Sequence, residues 1–359
     1  MDRRRFLRYA GLGAASIAAG YCLGEAANRY ASETQSRAAS LRAAAEKRGL
    51  LIGAAVDQQG LRFSRYTTTL AREFNYLTPE YSMMWEWVHP TKDDWDFDST
   101  DAIVNFASYN QMKVKGHPLI WSKDEFALPG YLTRDTSTED FRQAVHEHIS
   151  TLVGRYKGKI HAWDVLAEAV NDDGRGLRKS LFLDKLGEDY IAEVFHVAHE
   201  ADPDALLIYE DYGAEGVGDK SDGVYSMVKK LKTDGVPIDE VGLQMHIGAL
   251  NYPKPEDIAA NVRRLADLGL NVSIAEMDVE IRQLPGDLPQ REEVQRKVYH
   301  DVIAACLKEK GFRNITFWGF TDAYSWIDSW YAPDDPLLFD ENYEPKPAYW
   351  GVLDALLGA

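Results

Sequence analysis

The sequence of 359 residues contains only two cysteines, Cys22 and Cys306. Two cysteines cannot build a disulfide framework or a cysteine-rich metal site, so both kinds of scaffold are excluded. Basic residues are also scarce, since 40 Lys and Arg stand against 57 Asp and Glu and give a net charge of −17. A chain of this charge without a local basic patch repels phosphate backbones, and we therefore expect no nucleic-acid partner.

Long hydrophobic runs are missing as well. The run from Tyr9 to Gly24 is weakly apolar and rich in Gly and Ala, and it is too short for a confident membrane-spanning helix. It follows the letters RRRFLR at residues 3–8, which is typical of a twin-arginine export signal. We assign the signal to residues 1–30, with cleavage near Ala26-Ala27 and an uncleaved anchor as the alternative. The mature protein is then expected in the periplasm or outside the cell, without stable membrane association.

The rest of the chain alternates short apolar runs with amphipathic stretches. A polar helical lead-in at residues 31–50 is followed by eight apolar runs, and seven amphipathic stretches among them carry apolar residues three or four positions apart. Continuous apolar runs are typical of buried parallel strands, and eight β-then-α units predict an α/β fold, a single (β/α)8 TIM barrel spanning residues 51–359. No phosphate-binding glycine motif follows any run, which argues against an open nucleotide-binding sheet. The predicted strands are Leu51–Val56, Phe74–Leu77, Lys113–Gly116, Ile160–Leu166, Leu206–Tyr209, Val241–Gln244, Val272–Ala275 and Ile315–Phe317.

Polar and aromatic side chains follow nearly every predicted strand. In a barrel the carboxyl ends of the strands form one face, and active sites lie there. A purely structural barrel has no reason to gather carboxylates, histidines and tryptophans at this face. The candidate site residues, in chain order, are Glu80, His117, Trp121, Glu168, Glu210, Gln244, His246, Glu276, Asp278, Trp318 and Trp326.

Two of these carboxylates indicate glycoside chemistry. Glu168 follows the fourth strand and Glu276 the seventh, so they face each other across the barrel mouth. One protonated and one ionised carboxyl group are the minimal equipment for cleaving a glycosidic bond, and retaining enzymes hold them about 5–5.5 Å apart. Gln244 and His246 are two apart on one strand and share a face, so we expect His246 to bond a carboxylate with Asp278 behind it. Taken singly, each of these residues has an alternative interpretation. For Glu168 or Glu276 it is a salt bridge, and for His246 it is a purely structural role.

The remaining candidates have supporting roles. The tryptophans offer apolar faces for sugar rings, although core packing is the plainer interpretation of any one of them. Glu210 ends the strand next to that of Glu168, so we expect its carboxylate near Glu168, where like charges raise one pKa. Pairing with an arginine or exposure to solvent is the alternative. No cofactor is implied and no metal is expected, because carboxyl groups suffice and His146 and His148 do not face one way on their helix.

Seven ordered segments resemble the glycoside hydrolase family 10 xylanases, from about Leu51 to Leu356. The resemblance implies a retaining (β/α)8 endo-β-1,4-xylanase-like enzyme, with Glu168 as acid/base and Glu276 as nucleophile. The segments that carry it are WDVLAEA at 163–169, IAEMD at 274–278, GLQMH at 242–246, GHPLIW at 116–121, WGFTD with YSW at 318–326, LFD at 338–340 and PKPAY at 345–349.

The chain also departs from the usual family motifs, mainly on the side that binds the non-reducing part of the sugar chain. The resemblance implies that the glycone pocket has been rebuilt while both carboxylates are kept. Each lost polar partner of a buried sugar hydroxyl costs on the order of 1–3 kcal/mol. The departures are Tyr81 for Asn, Met84 for Lys, Ser122 for His, Ala167 for Asn, Glu210 for Asn and Ala275 for Thr.

The function predicted from these observations is hydrolysis of a β-1,4-linked polysaccharide by double displacement, with altered glycone specificity. A non-catalytic polysaccharide-binding barrel is an alternative, because a fold alone does not fix a function. A different glycosidase on the same barrel, such as a β-1,4-glucanase, is another. We expect a polysaccharide or oligosaccharide as the partner and a monomeric protein.

Overall fold

The computed structural model describes residues 40–123 and 128–358, so the predicted export signal and most of the lead-in lie outside the described residues. The strands are β1 Leu51–Val56, β2 Tyr76–Pro79, β3 Lys113–Gly116, β4 Ile120–Trp121, β5 Ala162–Ala167, β6 Leu206–Asp211, β7 Glu240–Leu243, β8 His246–Gly248, β9 Asn271–Glu280 and β10 Phe312–Phe317. The helices are α1 Leu41–Lys47, α2 Ser64–Glu73, α3 Trp85–Val88, α4 Asp98–Tyr109, α5 Thr138–Arg155, α6 Leu181–Leu186, α7 Tyr190–Ala201, α8 Asp219–Thr233, α9 Pro255–Ala266, α10 Leu288–Cys306, α11 Trp326–Trp330 and α12 Pro347–Leu357.

Eight parallel strands close into a ring. They pair in the order β1–β2–β3–β5–β6–β7–β9–β10, and β10 pairs with β1 to complete the barrel. The two short strands lie at its rim, where β4 pairs with the end of β5 and β8 with the end of β9. The predicted (β/α)8 barrel is therefore confirmed, and each of the eight predicted strands overlaps one barrel strand.

Local sequence explains where several helices begin. Ser137 precedes α5 and its hydroxyl accepts the amide of Asp140, which satisfies one of the free amides of the first turn. Asp287 precedes α10 and bonds Gln290 reciprocally, with a proline in the first turn. Among the described residues, no helix is long and apolar enough to cross a membrane.

Helix α2 was not predicted from the sequence. Its ten residues read SRYTTTLARE, in which three threonines lower the helix propensity and only Tyr66 and Leu70 are large apolar residues. Burial of Tyr66 and Leu70 against the barrel supplies what the local sequence lacks, since they are only 4% and 0% exposed.

Gly116 allows a close contact at the end of β3. A Cβ atom at this position would lie 2.2 Å from the ring of Trp163, which is fully buried in β5. Only a glycine lets the tryptophan pass so near the backbone. The contact sets the path of the chain immediately before His117, which is one of the candidate site residues.

Candidate active site

The predicted site residues lie at or just beyond the carboxyl-terminal ends of the strands, on one face of the barrel. They are Glu80 after β2, His117 after β3, Trp121 in β4, Glu168 after β5, Glu210 in β6, Gln244 after β7, His246 in β8, Glu276 and Asp278 in β9, Trp318 after β10 and Trp326 in α11.

The backbone holds Glu168 in the left-handed conformation, with a φ of 60°. This conformation costs a non-glycine residue on the order of 1 kcal/mol, so the surroundings must impose it. The amide of Glu168 donates to the carbonyl of Glu210 over 2.9 Å, and Nε of Arg178 donates to the carbonyl of Glu168 over 2.9 Å. These bonds fix the direction in which the Glu168 side chain leaves the barrel rim.

Gln244 connects the two candidate glutamates. Its side-chain amide donates to Oε1 of Glu168 over 3.3 Å. Its main-chain carbonyl accepts the main-chain amide of Glu276 over 3.0 Å. The predicted reason for its placement was wrong, because β7 ends before Gln244 and Met245 adopts a φ of 67°. Gln244 and His246 therefore do not share a face of one regular strand. Even so, the side chain of Gln244 contacts Glu168 and that of His246 contacts Glu276.

Glu276 is buried between two histidines. Its Oε2 lies 3.0 Å from Nε2 of His246, and its Oε1 lies 3.7 Å from Nε2 of His117. Burial and the neighbouring carboxylate of Glu210 raise the pKa of Glu276 to about 8. Glu276 is therefore favoured in its protonated form below that pH.

His246 is held by a second carboxylate, as the sequence predicted. Its Nδ1 lies 2.9 Å from Oδ2 of Asp278, and the indole of Trp326 donates to the same oxygen over 2.8 Å. Burial opposes a charged imidazolium, but Asp278 and Glu276 outweigh it and hold the pKa of His246 well above its usual value. His246 is therefore a cationic hydrogen-bond donor to Glu276.

The Glu210 carboxylate pairs with a lysine and a histidine. It contacts Nζ of Lys115 and Nδ1 of His117, each over 3.1 Å. Its main-chain carbonyl accepts the amide of Glu168. Strand order places neighbours side by side, but the pleat turns this side chain into the barrel interior, toward Lys115.

Lys115 was not singled out from the sequence, although it is fully buried and pairs with Glu210. The only local signal is a charged residue inside an apolar strand. His117, Asp164 and Glu210 also offer donor atoms within 4.8 Å of one another, a spacing that suits a metal ion. The ammonium group of Lys115 sits against the same Glu210 carboxylate and repels a cation there.

Two tryptophans pack against the histidines of the site. The ring of Trp318 packs edge-on against His117 at 4.9 Å, and the ring of Trp326 lies 5.0 Å from His246. Both rings therefore sit beside histidines that contact Glu276. Trp121 belongs to β4, next to Ala167 on β5, and so flanks the other glutamate.

The sequence model of Glycosyl hydrolase family 10 matches residues 40–355. The chain belongs to this family. It is 39% identical over 323 residues to endo-1,4-beta-xylanase B of Thermotoga neapolitana, a match that covers 88% of this chain and 91% of that one. It is 40% identical over 316 residues to a beta-1,4-xylanase of Dictyoglomus thermophilum, covering 84% and 87%. A crystal structure of xylanase 10B from Thermotoga petrophila with xylobiose matches with a TM-score of 0.85 and 40% identity over 89% of this chain and 98% of that one.

Membership of Glycosyl hydrolase family 10 makes the protein a glycoside hydrolase, as the motifs predicted. Several residues that depart from the usual family motifs are buried around the cleft. Ser122 bonds the hydroxyl of Tyr190 over 3.2 Å, and Ala167 carries no polar group. Tyr81 bonds the carboxyl group of Glu80, whose pKa is raised by burial to about 7 even though that bond lowers it.

A cationic group beside Glu168 escaped the sequence analysis of this family 10 enzyme. Nζ of Lys123 lies 2.9 Å from Oε2 of Glu168 and 4.6 Å from the ring centroid of Tyr212. Lys220 lies over the same ring at 3.6 Å, and it pairs with Asp211 at 2.9 Å. Lys123 follows Trp121 by two residues, so proximity to a predicted site residue was the available signal.

Proposed function

We propose that this family 10 enzyme is an endo-β-1,4-xylanase-like hydrolase with an altered glycone pocket. Glu168 is the acid/base and Glu276 the nucleophile in a double displacement. The observation that carries the proposal is the double link through Gln244, which bonds the side chain of Glu168 and the backbone of Glu276. The side-chain bond orients the carboxyl group of Glu168, and the main-chain bond fixes the strand that carries Glu276 beside it.

The contact between His246 and Glu276 suits the role of the nucleophile. In the first displacement, Glu276 attacks the anomeric carbon while Glu168 gives its proton to the leaving oxygen. In the second, water attacks the same carbon, Glu168 accepts the proton of that water, and the Glu276 carboxylate is released. The charged His246 stabilises the negative charge of Glu276 as that charge appears and disappears.

The glycone pocket is proposed to select a sugar other than an undecorated xylose unit. Positions that the usual motifs fill with polar side chains are occupied here by Met84, which is 9% exposed, and Ala167, which is 1% exposed. An apolar wall cannot bond the buried hydroxyls of the usual glycone, so affinity for that sugar falls. A panel of xylans, β-glucans and aryl glycosides, followed by product analysis, identifies the preferred unit and separates endo from exo action.

The assignment of the two carboxylates is tested by substitution. Glu276→Ala is expected to abolish hydrolysis of every substrate in the panel. Glu168→Ala is expected to retain activity on aryl glycosides with good leaving groups, which need no acid. It is also expected to be accelerated by azide, because azide attacks the anomeric carbon of the glycosyl-enzyme without a general base and releases the Glu276 carboxylate. Glu256→Ala, an exposed glutamate in the first turn of α9, is the control. Full hydrolysis by the Glu276→Ala variant, or binding without hydrolysis by the unaltered protein, contradicts the proposal.

Export by the twin-arginine route and action as a monomer outside the cytoplasm are part of the proposal. The supporting observation is the run Arg3-Arg4-Arg5 ahead of a weakly apolar segment. Replacement of Arg3 and Arg4 by lysine is expected to leave the protein in the cytoplasm, as measured by fractionation. Light scattering of the exported form measures its mass, and a dimer contradicts the monomer.

A further inference from the structure

Two exposed aromatic side chains lie at the end of α11, which follows β10 on the catalytic face of the barrel. Trp330 is 52% exposed and Tyr331 is 63% exposed. Trp330 follows Trp326 by four residues on α11, so their side chains leave the same side of the helix. Large apolar side chains that are exposed together beside a cleft are typical of a binding surface.

This exposed pair is continuous with the active site. The ring of Tyr331 meets the ring of Trp326 edge-on, with 5.7 Å between centroids. The indole of Trp326 donates to Asp278, which holds His246 against the proposed nucleophile Glu276. A sugar chain that lies against Trp326 therefore meets Tyr331 as it leaves the cleft.

Hydrogen bonds hold the backbone that carries the two rings. The amide of Tyr331 donates to the carbonyl of Ile327 over 2.9 Å. Oδ1 of Asp328 accepts the amide of Asp334 over 3.0 Å, and the carboxylate of Asp334 accepts the amide of Arg282 over 3.2 Å. The segment is thus bonded on both sides of Tyr331, and a ligand does not have to order it first.

The groups around Tyr331 suit a sugar ring. The guanidinium group of Arg282 lies 5.5 Å from the ring centroid of Tyr331 and pairs with Glu280, and Asp328 is exposed three residues before Tyr331. A pyranose ring has apolar C–H faces and a rim of hydroxyl groups. An aromatic face bordered by charged groups matches both, because the ring stacks and the charged groups bond the hydroxyls. A lipid or protein partner requires a larger continuous apolar patch.

We propose that Trp330 and Tyr331 form an outer sugar-binding platform, which binds a pyranose ring of the polysaccharide outside the units that are cut. The inference rests on the proposed hydrolysis of a polysaccharide. The platform is remote from the reacting bond, so it binds the ground state and the transition state equally and lowers KM without raising kcat. Only chains long enough to reach it benefit, and the enzyme therefore favours long chains over short ones.

The test compares Tyr331→Ala and Trp330→Ala with the unaltered protein on soluble xylan, soluble β-glucan and aryl β-glycosides of a single sugar. On the polymer that the unaltered protein cleaves, each variant is expected to raise KM about two- to tenfold at the same kcat, as the loss of one stacked ring implies. The ratio of kcat/KM on this polymer to kcat/KM on the aryl glycoside is expected to fall by the same factor. A misfolded variant loses activity on both substrates and leaves that ratio as it is.

Two variants serve as controls. Tyr331→Phe keeps the ring and is expected to keep the KM of the unaltered protein, because stacking uses the ring face and not the hydroxyl group. Tyr109→Ala removes a tyrosine that is 88% exposed at the end of α4, on the opposite end of the barrel, and is expected to leave the ratio unchanged. A KM that rises equally in Tyr331→Phe and Tyr331→Ala overturns the inference. A lower mass of Tyr331→Ala in light scattering also overturns it, since a second copy of the chain then covers the rings.

Failure of this inference is distinguishable from failure of the proposed function. If Glu276→Ala hydrolyses the polymers, the proposed function fails. If Glu276→Ala is inactive while Tyr331→Ala and Trp330→Ala keep the KM of the unaltered protein, only this inference fails. If the unaltered protein binds xylan or β-glucan without cleaving it, the proposed function fails. The variants are then compared by their retardation in gels that contain this polymer, and equal retardation overturns the inference as well.

Discussion

Nζ of Lys123 lies 2.9 Å from Oε2 of Glu168, so an ammonium group directly contacts the proposed acid/base. In a retaining mechanism Glu168 is the acid of the first displacement and the base of the second. The ion pair with Lys123 exists only with the ionised form of Glu168, which is the form that acts in the second displacement. The second step is therefore the one expected to depend on this contact.

Lys123→Met is expected to slow the second displacement about two- to fivefold, the effect of a partly exposed ion pair. The measurement is the rate after the burst on an aryl glycoside whose leaving group needs no acid. Lys179→Met removes an exposed lysine elsewhere and is the control. An unchanged second step shows that Lys123 has no influence on Glu168.

Stability is expected to depend on pH through His148 of α5. This side chain is completely buried, and its ring stacks on Trp85 with 4.1 Å between centroids. Burial and the nearby His89 lower the pKa of His148 well below its usual value of 6.5. The folded protein thus binds this proton less readily than the unfolded chain, so the stabilisation is present above pH 6.5 and lost as the pH falls.

The variant His148→Phe keeps the stacked ring and removes the titration. Denaturation by urea at pH 8, 6.5 and 5 is expected to show that the unaltered protein loses more free energy of unfolding on acidification than the variant. Below pH 6.5, the gap between the two proteins in this loss of free energy grows by at most about 1.4 kcal/mol per pH unit. His199→Phe changes an exposed histidine and is expected to leave the pH dependence as it is. Parallel pH curves for the His148 variant contradict the prediction.

Gly116→Ala is expected to destabilise the barrel next to the active site. The added methyl group meets the ring of Trp163 at 2.2 Å, and overpacking of this kind costs about 1–3 kcal/mol. The free energy of unfolding and kcat/KM are both expected to fall, because His117 follows Gly116 directly. Gly130→Ala adds the same methyl group where nothing lies within 4 Å, and it is the matched control. Equal stability of the two variants rules out the clash.

The barrel and its catalytic face were predictable because their signals are local. A buried parallel strand needs a continuous apolar run, and the residue after the run lies at the strand end whatever the details of packing. Glu168 and Glu276 were found in this way. Helix α2 was missed because burial of Tyr66 and Leu70, and not its threonine-rich sequence, stabilises it.

The partners of the site residues were less predictable. Glu210 was expected beside Glu168, and its carboxylate contacts Lys115 and His117, neither of which the sequence indicated as its partner. Lys123 carries no motif and reaches Glu168 only through the course of the chain after Trp121. Side-chain direction depends on pleat and register, and a shift of one residue changes every contact.

The sequence by itself determined the eight-unit barrel and the positions of the two glutamates and the tryptophans at the strand ends. Periodicity and residue type, on which these predictions depend, are visible in the sequence alone. Only the tertiary structure decided which charged side chains pair with one another. It placed Glu210 with Lys115 inside the barrel and Lys123 with Glu168 at its rim. The physical reason is that pKa values follow distances of a few ångströms and the loss of water, and neither quantity is encoded at any single position of the chain.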